Sequence, residues 1–257
     1  MTVFIDIFFT NWHIILLFFI VAITYSSVGF GGGSSYLAIL TLTSLWFTEV
    51  RAIALLCNLV VVLGNVIQYQ KQHLYQWKKV FPLVLFSIPL AFLGGYIPIS
   101  QTFFFILLAF TLLIAAIIMW FSNNNNLHKN NLNNLSFSKN TTYGGVIGFI
   151  SGMVGIGGGI FLAPLLHLTN WNTPKKIAAT ASFFILANSV AGLVGQYLHP
   201  NFSINWHLTS VLLVTVLLGG QIGVRLGTTF FIKIQLKKAT AILIAFVSIR
   251  IFIKHLF

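Results

Sequence analysis

Apolar runs separated by short polar or glycine breaks divide this chain into ten segments. The first five cover about 12–28, 34–46, 51–69, 80–97 and 102–121, and the second five about 143–154, 160–168, 176–198, 206–224 and 238–255. Several approach the roughly 20 residues that cross a bilayer as helix. Between the two sets lies Ser122 to Thr142, a polar stretch that includes Asn123 to Asn126. Its low complexity predicts a flexible linker. The expected organisation is a first membrane repeat over 1–121, a cytoplasmic linker over 122–142 and a second membrane repeat over 143–257.

The two sets match in order. Residues 28–33 read VGFGGG and residues 154–159 read VGIGGG. The long segment that follows closes on Gln68-Tyr69 in one half and Gln196-Tyr197 in the other. Trp77 and Trp206 open the next segment, and Gly94-Gly95 and Gly219-Gly220 lie within it. The offsets between these landmarks are 126, 128, 129 and 125 residues. Such internal duplication is the pattern of secondary transporters.

Composition strengthens the membrane reading. Of the residues, 58% are hydrophobic and 6% charged, against about a quarter charged in a soluble domain. No positive region precedes the first apolar run, so a cleaved signal peptide is not expected. The net charge of +12 does not point to nucleic acid, because most of the basic residues lie between apolar segments, where they set orientation. The single cysteine, Cys57, excludes an internal disulfide and a cysteine-based metal cluster. Glu49 is the only acid beyond the N-terminal tail, which leaves no carboxylate pair for proton coupling.

The segments flanking each glycine run look too short to span, and stretches of about 10–14 apolar residues are often re-entrant. If each pair is a hairpin, three spanning helices remain per half, and an odd number inverts the second half. With the 70–79 loop inside, eleven of the fourteen Lys and Arg become cytoplasmic. The turns at 98–101 and 199–205 then face outward with no Lys or Arg at all. The predicted fold is therefore an all-α polytopic membrane protein of two inverted-topology repeats. Each repeat has a Gly-rich, broken or re-entrant helical hairpin plus three spanning helices.

Gly31-Gly32-Gly33 and Gly157-Gly158-Gly159 are runs rather than small residues spaced for helix packing. Three adjacent glycines favour an irregular turn, and the helix after each run points free N–H groups back at it. Such helix starts attract anions, and inverted hairpins would bring two of them together near the midplane.

The pair VGFGGG and VGIGGG, the second continuing IFLAPLL, resembles the TauE/SafE family of sulfite and organosulfonate exporters. The second motif matches well. In the first, Ser34, Ser35 and Ala38 replace Ile160, Phe161 and Pro164 of the second. The resemblance implies export of a small sulfur-containing anion such as sulfite or sulfoacetate across the bacterial cytoplasmic (inner) membrane. An anion channel and a transporter of another small organic anion are the alternatives.

The candidate substrate site is Gly31, Gly32, Gly33, Ser34, Ser35, Asn58, Gly157, Gly158, Gly159, Thr180 and Asn188. Asn58, Asn65 and Gln68 share roughly one helical face, and Thr180, Asn188 and Gln196 mark the equivalent helix. Amides there can bind anion oxygens or glue helices together, and the hydroxyls can bind substrate or bond back to their own helix. Arg51 and Arg225 lie at segment ends, where snorkelling to the interface competes with a gate that draws in the anion. No Lys or Arg falls mid-segment, so binding is not expected to rest on a deeply buried cation. His13, His167 and His207 read as interfacial packing. No HExxH, acid pair or nucleophile–base spacing suggests an enzyme, and a membrane assembly protein is the remaining class. No catalytic residue, cofactor or metal is expected. The expected partners are a small anionic substrate and the lipid bilayer, not nucleic acid, and a homodimer is compatible with the size. Reporter fusions at each end should place both termini outside the cytoplasm; a cytoplasmic C-terminus would refute the inverted arrangement.

Overall fold

The structure is a computed structural model. It describes residues 2–121, 137–169, 171–200 and 202–226, together with scattered helical positions between 242 and 253. Among the described residues the fold is all α-helix: α1 (Thr2–Val28), α2 (Gly33–Leu40), α3 (Phe47–Lys71), α4 (Trp77–Tyr96), α5 (Gln101–Phe121), α6 (Phe137–Val154), α7 (Gly159–Leu168), α8 (Pro174–Tyr197) and α9 (Trp206–Leu226). Five are long and apolar enough to cross a bilayer: Phe9–Val28 of α1, then α3, α4, α8 and α9.

Three predicted boundaries shift. The segment before the first glycine run is long enough to span, because α1 extends past the polar positions that hid its start and kinks at Asn11. Helix α6 begins at Phe137, so the last six positions assigned to the linker are helical; 122–136 lie outside the described residues. Helix α3 starts at Phe47 rather than 51, which carries Arg51 inside it. By contrast α2 and α7, of eight and ten residues, reach only about 12 and 15 Å, too short to cross.

Lipid tails are as apolar as leucine, so helices in a bilayer associate through close packing and polar contacts. The two most extensive helix pairings, α4 with α6 and α1 with α9, are both built on glycine. Along α6, Gly144, Gly148 and Gly152 fall every fourth residue and press against the Leu83, Ser87 and Ala91 carbonyls of α4. The pairs advance together, so these helices run parallel. A Cβ at Gly148 would lie 2.7 Å from the Ser87 carbonyl oxygen, closer than side chains approach. Gly219 and Gly223 of α9 pack in the same way on the Phe19 and Ile23 carbonyls of α1. Ser26 adds a hydrogen bond of 2.8 Å to the Gly220 carbonyl.

Helices α3 and α8 cross in the opposite sense. Asn58 meets Ser189, while Leu55, one turn earlier, meets Gly192, nearly one turn later. At one end of the molecule Thr141 of α6 bonds the Pro82 carbonyl of α4. There too Asn172, just before α8, donates to Gln76, just before α4, at 2.7 Å. The chain thus leaves this end along α6 and returns to it along α7. Helix α2 folds back along α1 in the same manner, with Ser35 bonded to Tyr25 and Tyr36 stacked on Phe18.

Gly148→Val should lower unfolding stability in detergent by about 1–3 kcal/mol, the usual cost of overpacking. An unchanged thermal midpoint would mean that the α4–α6 seam is not close-packed.

Candidate functional site

Each glycine motif performs two backbone operations. Gly29 and Gly155 adopt φ of +90° and +86° and end the incoming helices. The next N–H reaches back five residues, Phe30 to the Tyr25 carbonyl and Ile156 to the Ser151 carbonyl. That is the Schellman closure, which favours glycine at the left-handed position. Gly32 and Gly158, at φ +88° and +82°, then stand before the first turn of α2 and α7, neither with a side-chain cap. The left-handed pairs Gly29/Gly32 and Gly155/Gly158 recur at one spacing, which is why both motifs carry glycine at these places.

The two turns touch. A Cβ on Gly33 would lie 2.7 Å from the Ile156 carbonyl oxygen of the other motif. Asn58, the twelfth of 25 residues in α3, links them and is only 1% exposed. Its carbonyl oxygen accepts the Gly33 N–H at 3.1 Å. Its amide nitrogen donates to the Ile156 carbonyl at 3.2 Å and to the Ser189 hydroxyl at 3.0 Å. Two further side chains hold the first turn. Asn65 donates to the Phe30 carbonyl at 3.2 Å, and the Ser182 hydroxyl donates to the Gly29 carbonyl.

The predicted site residues divide accordingly. Gly31, Gly32, Gly33, Gly157, Gly158 and Gly159 form the paired turns, and Ser34 lies buried in the first turn of α2. Asn58 joins the turns. Ser35 gives its hydroxyl to Tyr25 at 2.9 Å. Thr180 bonds back to the Lys176 carbonyl at 2.9 Å, the intrahelical alternative. Asn188 is 1% exposed, and neither its amide nitrogen nor its oxygen has a partner. It shares a helical face with Phe184 and Gly192, which meet Gly158 and Gly152. Ser182 and Ser189 were not foreseen, although their spacing of seven repeats that of Asn58 and Asn65.

The two arginines part company. Arg225 is exposed at the C-terminal end of α9. Arg51, expected to snorkel, is 4% exposed. The expectation that binding does not rest on a deeply buried cation follows from segment boundaries that make Arg51 terminal; α3 starts one turn earlier, and Arg51 lies buried inside it. Its Nη2 donates to the Gly152 carbonyl at 3.3 Å. The guanidinium carbon sits 5.9 Å from the Phe104 ring centre. Its backbone packs on Gly155 at 3.3 Å from where a Cβ would stand. Arg51 also lines a cavity of about 410 Å³ with Thr48, Gln196, His199 and Ser203 among its polar walls.

Asn58→Leu would strand a buried donor on Gly33 and a buried acceptor on Ile156, at about 1–3 kcal/mol each. The variant should unfold at least about 2 kcal/mol more easily, read by denaturant or thermal melts. Wild-type stability would show that the link between the turns is dispensable.

The chain matches the family model described as Sulfite exporter TauE/SafE over residues 14–251. It is similar to a protein of Sinorhizobium fredii named probable membrane transporter protein y4hK, with 30% identity over 239 residues, 89% of this chain and 93% of that one. A protein of Bacillus subtilis named probable membrane transporter protein YunE is 33% identical over 78 residues, 30% of this chain and 28% of that one. No solved structure matches the chain. The match across nearly all of the apolar helices, with both glycine turns inside it, makes this chain an integral membrane protein of the TauE/SafE sulfite exporter family, a family of membrane transporters.

Proposed function

We propose that this chain is a secondary transporter that exports a small sulfur-containing anion, sulfite or an organosulfonate such as sulfoacetate, by alternating access. The observation that carries the reading is the pair of glycine turns joined through Asn58 at the middle of a spanning helix. Each turn opens a short helix, and the first N–H groups of a helix form a partial positive charge without a titratable group. Substrate would sit against these N–H groups, beside Ser34 on one side and Asn188 on the other. Asn58 has its amide engaged by the turns, so its part is to position them. The family match supplies the class of anion.

The antiparallel crossing of α3 and α8, equivalent helices of the two halves, supports inverted repeats about an axis in the membrane plane. The return of the chain along α2 and α7 supports hairpins that enter and leave on one side. Loop charge then orients the molecule in the bacterial inner membrane, with the 98–101 and 199–205 turns and both termini outside. Alternating access would come from one hairpin and its partner helices rocking against the other across the glycine seams.

Purified protein in liposomes loaded with radiolabelled sulfite should release it faster than empty vesicles, at carrier rather than channel rates in parallel electrical recordings. Gly158→Val, which forces a branched side chain into a left-handed position 2.9 Å from Phe184, should reduce release to background. Full activity in that variant would remove the glycine turns from the mechanism.

A further inference from the structure

The end of the molecule opposite Gln76 and Asn172 holds a buried cation with no carboxylate beside it among the described residues. The whole chain has two acids, Asp6 and Glu49. Neither lines the cavity at Arg51, and Glu49, two positions earlier on the same helix, does not share its face. The hydrogen bond that Arg51 makes runs to a neutral carbonyl, while its Nε is buried without a partner. Across the cavity Gln196, near the end of α8 and 5% exposed, has an amide nitrogen in the same state. Unpaired buried charge is costly, and unmet donors add to the cost.

What would satisfy these groups is an anion. The guanidinium offers a planar fork of donors that fits two oxygens of one group. Gln196 can donate to a third oxygen, and the Thr48 and Ser203 hydroxyls lie in the same walls. A volume of about 410 Å³ accommodates a sulfonate with a short tail. The position also fits. Arg51 packs directly on Gly155, so the cavity wall adjoins the start of the second glycine turn. Ile97 to Ile99, His199, Phe202 and Ser203 also line it.

We infer that this cavity is an oxyanion-binding subsite at the outer mouth of the pathway, with Arg51 supplying the charge and Gln196 a neutral donor. Its ligand is a sulfite or alkanesulfonate group. The choice of that ligand rests on the transporter reading above. A merely structural Arg51, fastening α3 to Gly152, would affect stability but not the anion dependence of any measurement.

The test is calorimetric titration of sulfite and methanesulfonate into the full chain in neutral phosphatidylcholine nanodiscs, beside the sulfite concentration dependence of efflux. Arg51→Met should weaken binding at least tenfold and raise KM, Gln196→Leu should weaken binding severalfold, and Arg51→Lys should fall between wild type and Arg51→Met. If Arg51→Met fails to fold, the other two variants carry the same comparison. Unchanged affinity and KM in the variants, with wild type still transporting, would overturn the subsite and leave the transporter reading intact. Absence of both binding and transport in wild type would overturn both. An anionic lipid headgroup shares the oxyanion chemistry, so the titrations are repeated with phosphatidylglycerol discs. No free-anion heat in neutral discs, with the Arg51 and Gln196 variants changing behaviour only in phosphatidylglycerol discs, would also overturn the subsite.

Discussion

The fold depends on one side chain that satisfies backbone groups from both halves of the chain at once. Asn58 accepts from Gly33 and donates to Ile156, residues that lie 123 positions apart. Irregular backbone in the middle of a bilayer is tolerated only where protein or a water-filled cavity meets its hydrogen bonds. An amide is the side chain suited to this place, because it carries a donor and an acceptor together and no charge. Both glycine turns therefore rely on the same residue, and neither can shift without disturbing the other. Such mutual dependence makes the centre a single unit rather than two adjoining loops.

Around that unit the helices are held by closeness rather than by hydrophobic drive. Glycines on α6 and α9 let backbones touch on α4 and α1, and single hydrogen bonds from Thr141 and Ser26 cross these seams. The support is uneven. Asn65 and Ser182 hold the first turn from two helices, while the second turn abuts Arg51 and the cavity beyond it. The first turn is thus fastened by side chains from two helices, while the second borders a cavity with polar walls.

Much of this was legible in the sequence because its signals are local or repeated. The glycine runs predicted irregular turns, and left-handed Gly29, Gly32, Gly155, Gly157 and Gly158 supply the reason. The seven-residue spacing of Asn58 and Asn65 marked the face that meets the first turn. What escaped was decided by tertiary surroundings. Reading segments as uninterrupted apolar runs left 47–50 out and started the third at 51, so a buried arginine looked terminal. Ser182 and Ser189 passed as ordinary helix serines, since nothing local distinguishes a hydroxyl bonded to its own helix from one bonded to a turn far away in sequence. Thr180 shows the other case, a hydroxyl bonded back to the Lys176 carbonyl of its own helix. The span of α1 was hidden by Asp6 and Asn11; helix runs on both sides of Asn11, with a kink at that residue.

The proposed role of the paired glycine turns and their surroundings is to hold a small sulfur oxyanion. Its most direct test is a thermal-shift screen of the purified chain against sulfite, sulfate, organosulfonates, carboxylates and chloride. The account predicts a selective rise in the unfolding midpoint with sulfite or a sulfonate, because an anion that binds only the folded state stabilises it by mass action. No shift with any anion, or an equal shift with all of them, would contradict it.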